Sequence, residues 1–203
     1  MRAAHRAWPL LVAIASLSLS TIAAGGSMPD VTVSAGMTSS ATGRITGGGL
    51  TSSLGLDWPV NDRVSFGVLA FADDIGTRRQ ELADPNDGTP LGSIAVEHRW
   101  TYGATWRTRV QLLAPDPGKW SIEWRAGWGY SRVEDDQRGR TFDAASAIGL
   151  STGLGVFRRV GAKGALGLST RIELLAIHRG PLDERPSRYT ATALEWHWKA
   201  ARD

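Results

Sequence analysis

The chain has no cysteine, which excludes disulfides and thiolate metal sites. Lysine is almost missing: Lys119, Lys163 and Lys199 are the only three, so the formal net charge of +3 is carried mainly by arginine. These cations form no basic run, which argues against nucleic acid as a partner. After the N-terminal segment no apolar run reaches the length of a membrane-spanning helix. A mean hydropathy of −0.18 is also too polar for a bundle of such helices. No metal-ligand spacing occurs, the scattered glycines match no phosphate loop, and no nucleophile–base pair stands out. No catalytic residue, metal or cofactor is therefore assigned.

What is present points to export and to β structure. Arg2, His5 and Arg6 precede an apolar run from Ala7 to Ala15 that continues to Ile22, with small residues at Ala23, Ala24, Gly25 and Gly26. Positive, then apolar, then small is the order of a secretory signal peptide, here residues 1–24; the alternative is a membrane anchor, for which the run is short and broken by hydroxyl residues. The remaining domain, residues 27–203, is organised around WSIEWRAGWGYSR, Trp120 to Arg132. Trp120, Ile122, Trp124, Ala126, Trp128 and Tyr130 alternate with Ser121, Glu123, Arg125, Gly127, Gly129 and Ser131. A period of two puts one wholly apolar face opposite one small or charged face, which is a strand.

The same alternation predicts strands over about 31–37, 48–58, 63–73, 93–113, 120–132, 144–158, 165–177 and 188–198, eight in all. Polar stretches at 38–46, 74–91, 134–143 and 178–187 alternate with compact turns at 58–62, 114–119 and 160–164. Long loops at one end and tight turns at the other describe an all-β, eight-stranded antiparallel up-and-down barrel, with all three lysines at the tight-turn end. An eight-stranded barrel has an interior just wide enough for side chains. The small face, with Gly55, Gly67, Gly103, Gly127, Gly149 and Gly155, suits that interior, and the large apolar face then points outward into lipid. Trp58, Trp120 and Trp198 fall near the tight-turn end, and Trp100, Tyr102, Trp128 and Tyr130 near the long-loop end, as two aromatic girdles of a transmembrane barrel. The competing arrangement is a soluble lipocalin-like or avidin-like carrier with its apolar face inside.

With signal, strands and girdles together, the chain resembles the small outer-membrane β-barrel proteins of Gram-negative bacteria, the OmpA-domain, OmpX and OmpW-like group. Leu194-Glu195-Trp196-His197-Trp198 is similar to the aromatic terminal strand of that group, although Lys199 to Asp203 follow it. The resemblance implies the outer membrane as location, its lipid and lipopolysaccharide as surroundings, and the barrel-assembly machinery as partner during insertion. It names no extracellular partner. Lipid A deacylases of similar size carry a His-x-Ser pair, whereas His98, His178 and His197 are followed two residues on by Trp100, Gly180 and Lys199.

The inward-facing charges are Glu97, Arg99, Arg107, Arg109, Glu123, Arg125, Arg171, Glu173, Glu195 and His197. A charge in a narrow lumen must be paired or wet. Neighbouring strands let Arg107 and Arg109 reach Glu123, and let Arg171, Glu173, Glu195 and His197 meet, so an ion network that plugs the lumen is expected. A gated ion path or a catalytic carboxylate is the sharper alternative. Two functions follow. One is a structural or surface-interaction protein working through loops 74–91 and 134–143. The other is OmpW-like passage of small hydrophobic molecules into the bilayer, whose sole sequence support is the inward parity of Leu69 and Phe71.

Overall fold

The computed structural model describes residues 28–40, 45–46, 48–84, 87–96, 98–113, 120–137, 140–178 and 186–199. The segment read as an export signal lies outside them, as do Glu97 and the turn 114–119. The strands are β1 Asp30–Ser39, β2 Ile45–Thr46, β3 Leu50–Pro59, β4 Val64–Asp74, β5 Thr77–Ala83, β6 Pro90–Val96, β7 His98–Leu113, β8 Trp120–Gln137, β9 Arg140–Val160, β10 Gly164–His178 and β11 Pro186–Trp198. Eight of them close a barrel in the order β1-β11-β10-β9-β8-β7-β4-β3, each antiparallel to its neighbours. Closure pairs Val31 with both Trp198 and Leu56, so β1 has no free edge. This is the eight-stranded barrel that the alternation predicts.

Two predicted loops are largely strand. The expected polar loop 74–91 contains β5, which turns back into β6 and also pairs with β2 in a separate three-stranded sheet. The expected single strand 93–113 is shared between two strands of different sheets, β6 in the three-stranded sheet and β7 in the barrel. The β4–β7 ladder runs on through Ile75 N–H to Arg99 O (2.8 Å), and Gly76, at φ 98°, then redirects the chain into β5. At the hairpin tip, Thr89 N–H donates to Asp87 Oδ1 (2.9 Å) and holds that carboxyl below the usual carboxylate range. The expected charged loop 134–143 is mostly paired too: β8 and β9 run on to Asp135↔Asp143 and Gln137↔Arg140. Alternation is the sequence signal for a strand with one apolar and one polar face. Past Arg132 the apolar face ends, but backbone pairing needs no side-chain pattern and continues.

The outward face is apolar and open. Trp106, Trp128, Leu150, Leu168, Leu194 and Met37 are all more than half exposed. A contiguous apolar surface that encircles a barrel is foreign to a protein in water. Inward positions in the tight-turn half are mainly small or charged, and the cluster Ile75, Val133, Ala147, Leu175, Tyr189 and Ala191 packs in the lumen toward the long-loop end.

Candidate functional site

The lumen concentrates the buried ion pairs of the described residues, and it is built in layers. In the tight-turn half Asp57, at the end of β3 and fully buried, accepts a fork from Arg107 on β7: Nε to Oδ1 at 2.9 Å and Nη2 to Oδ2 at 2.5 Å. Arg107 Nη2 also donates to Thr32 Oγ1 at 2.7 Å. Gly55 and Gly67 make room for this pair. A Cβ at Gly55 would lie 2.2 Å from Arg107 Nη2, and one at Gly67 would lie 2.4 Å from Asp57 Oδ1. Gly55→Ala is therefore expected to lower stability by about 1–3 kcal/mol through overpacking, read as an earlier unfolding midpoint in urea.

Arg109 continues the web. It donates to Ser65 Oγ at 3.2 Å, Asp57 Oδ2 at 3.4 Å and Asp30 Oδ2 at 3.3 Å, and lies 3.7 Å from Glu123 Oε2. Glu123 accepts from Arg125 Nη2 at 3.1 Å, and Arg125 Nη1 donates to Glu195 Oε2 at 2.7 Å. His197 closes the circuit, with Nε2 2.6 Å from Glu195 Oε1 and its ring 4.1 Å from that of Phe157. The Arg125 guanidinium lies over the Phe157 ring, 5.1 Å from its centre.

A second layer sits higher. Arg171 on β10 reaches across the lumen to Asp73 on β4, and Asp73 also accepts from Thr51 Oγ1 (2.5 Å) and Tyr189 Oη (2.6 Å). Glu173 Oε1 is 2.9 Å from Arg171 Nε. A cavity of about 40 Å³ separates the two layers, lined by Ser34, Ser53, Leu69, Arg107, Arg125 and Arg171. Polar groups of Ser34, Ser53, Arg107, Arg125 and Arg171 face it among apolar ones, and it has room for a few waters, one of which needs about 10–15 Å³. Above the apolar cluster Arg99 forks onto Asp135 at 2.6 and 2.7 Å, both residues being almost wholly buried. At the outer rim Tyr102 Oη (2.6 Å) and Arg132 Nε (3.0 Å) both donate to Glu134, and His98 Nδ1 lies 2.8 Å from Asp74 Oδ2.

The geometry redistributes the partners read from neighbouring strands. Arg109 approaches Glu123, but Arg107 turns to Asp57. Arg171 and Glu173 do not meet Glu195 and His197: the cavity lies between, and Glu195 and His197 join Arg125 and Glu123 instead. Asp30, Asp57, Asp73 and Asp135, four carboxylates that hold the arginines, were not among the expected network. Asp57 and Asp73 fall inside the predicted strands 48–58 and 63–73, Asp30 just before the first predicted strand and Asp135 in the stretch read as a charged loop, yet each has the parity of the inward face. Leu69 and Phe71 are inward and buried; Leu69 lines the cavity, and the Arg171 guanidinium lies 4.8 Å from the Phe71 ring centre.

On the outside, Trp120 and Trp198 are exposed and Trp58 half-buried near the tight turns. Trp128 and Tyr130 are exposed, and Trp100 and Tyr102 half-buried, nearer the other end. Trp106 lies beside Trp128 as its Cα partner and extends that upper group. Among the described residues no group of three or more His, Asp or Glu is disposed to hold a metal ion.

The strand order and filled lumen define the class: a small, closed, eight-stranded antiparallel up-and-down barrel. Among solved structures the chain is similar to Neisserial surface protein A (NspA), with a TM-score of 0.62 at 14% identity over 85% of this chain and 97% of that one. It is also similar, with a TM-score of 0.43 at 12% identity over 84% of this chain and 97% of that one, to Ail, the attachment invasion locus protein of Yersinia pestis, in complex with the heparin analogue sucrose octasulfate. No protein-family model and no curated protein matches the sequence. The likeness to NspA is one of fold.

Proposed function

We propose that the protein is an outer-membrane β-barrel, closed inside by its own side chains, that serves a structural or surface-interaction role through the sheet and hairpins projecting beyond the barrel. Residues 1–24 direct its export, the barrel-assembly machinery inserts it, and outer-membrane lipid and lipopolysaccharide surround it. One observation carries this reading: a closed barrel presents a continuous exposed apolar and aromatic face while its arginines and carboxylates are paired inside. The β5–β6 hairpin and the β8–β9 extension supply the outer working surface. Passage of hydrophobic molecules needs a ligand-sized apolar pocket, roughly 300 Å³ or more. The cavity in mid-lumen is about 40 Å³ and ringed by arginines, which favours the closed reading.

Membrane fractionation, with unheated and heated samples compared on a denaturing gel, tests the location; recovery in the soluble periplasm sinks it. The purified protein in a planar bilayer should show no stable large conductance, since aqueous channels use about 16–18 strands. A persistent open pore would move transport ahead of the structural role.

A further inference from the structure

We propose that the tight-turn rim of the barrel recognises the phosphate groups of net-anionic phospholipids in the leaflet it faces. The inference rests on the membrane reading above and adds a headgroup class and a location to it. Arg158 is the key observation. It is exposed on the outward face of β9, where its cross-strand neighbours are Trp120 and Leu166, both exposed as well, and the preceding outward residue is Val156. An arginine in that row is unfavourable in hydrocarbon but is accommodated at the headgroup level, where its stem lies along the apolar surface and its guanidinium meets phosphate.

The neighbours reinforce it. Arg159 is exposed and held against the β9–β10 turn, with Nε donating to Gly161 O at 3.3 Å and Nη2 to Ala162 O at 3.1 Å. The guanidinium is thereby fixed while keeping further N–H donors. Lys163 occupies the same turn, and Lys199 N–H donates to Lys163 O at 2.8 Å, which brings Lys199 alongside. Arg63 completes the rim, held in its turn by Asn61 Oδ1, which accepts from the Arg63 N–H at 2.9 Å. Against these exposed cations the described rim sets one exposed carboxylate, Asp62. Among the described residues neither Arg158 nor Lys163 has an ion-pair partner. Free cations of one sign at the level of a tryptophan belt fit a negatively charged lipid surface.

The test is displacement of brominated lipids in vesicles, read by quenching of tryptophan fluorescence in the full-length protein. Brominated phosphatidylglycerol is compared with brominated phosphatidylcholine. The wild type should prefer the anionic lipid by about threefold or more, and should lose much of that preference at high salt. Arg158→Gln combined with Arg159→Gln and Lys163→Gln should bring the ratio close to one. Arg158→Lys, which keeps the charge, should retain the preference. Equal affinity of the wild type for both lipids overturns the proposal, as does a preference that survives the triple substitution. A wild type that inserts into neither bilayer, judged by the heat-dependent gel shift, overturns the membrane reading and this one with it. Insertion without preference overturns the headgroup assignment alone.

Discussion

Asp57→Ala is expected to destabilise the barrel by about 3–5 kcal/mol, the range for removing one partner of a buried ion pair. Asp57 is fully buried and accepts from both Arg107 and Arg109. Its loss leaves Arg107 with Thr32 as its remaining acceptor, and Arg109 with weaker contacts to Asp30, Ser65 and Glu123. The cost comes from the stranded cations rather than from the intrinsic worth of the pair, because a buried ion pair contributes little net stability over apolar residues of the same volume. The companion variant follows from that distinction. Asp57→Ala with Arg107→Leu should be less damaging than the sum of the two single changes, since each removes the other's uncompensated charge. Equilibrium unfolding in urea, followed by tryptophan fluorescence in vesicles, measures all three. A loss below about 1 kcal/mol for Asp57→Ala would mean that water in the lumen already screens Arg107, and the closed interior would have to be abandoned.

The alternation that made the strands legible also determined what was illegible. Trp120 to Tyr130 on one parity and Ser121 to Ser131 on the other identify β8 because an exposed apolar outer face lies on one side of it and a cramped lumen on the other. Past Arg132 the outer side is no longer apolar, yet β8 pairs with β9 through Gln137. Backbone hydrogen bonding needs no side-chain pattern, so the extension and β5 carried no periodic signal, while the end of β6 was read only as part of the strand 93–113. The lumen was legible by parity but not by pairing. Arg107 can be placed inside from its position beside Trp106 and Thr108, yet which carboxylate it meets depends on the way around a closed barrel. Asp57 is two strands away from it, across β4, and Gly55 and Gly67 have no side chain in the path. Adjacent-strand reasoning therefore found Glu123 and missed Asp57.

The closed lumen also bears on where any partner can act. Asp73, Arg171 and Tyr189 bridge β4, β10 and β11 from inside. Above them Ile75, Val133 and Leu175 seal the barrel beneath the Arg99–Asp135 pair. Paired charge and packed apolar residues thus follow one another along the lumen, and the proposed closed interior rests on that succession. Contact with other molecules is thereby directed to the barrel's outer wall and to its two ends.

Leu154→Arg should cost about 2–4 kcal/mol, the penalty for an arginine on the lipid face near the bilayer midplane. Leu154 is more than half exposed and flanked by Trp124 and Thr170. On β9 it lies midway between Arg158, beside Trp120, and Leu150, beside Trp128, so its guanidinium cannot readily reach either interface. The same change at Val156, one outward step closer to Arg158, should cost less, because the penalty falls to about 0–1 kcal/mol near the interfaces. In a soluble barrel the expectation is the reverse. An exposed leucine replaced by arginine would be hydrated, stability would change by roughly 0.5 kcal/mol or less, and the two positions would behave alike. Unfolding of both variants in phosphatidylcholine vesicles, beside Leu154→Phe as an apolar control, separates the two cases. A depth-dependent loss supports lipid around this face. Equal and negligible losses would turn the barrel inside out in functional terms, with its tryptophans awaiting a protein or a ligand rather than a membrane.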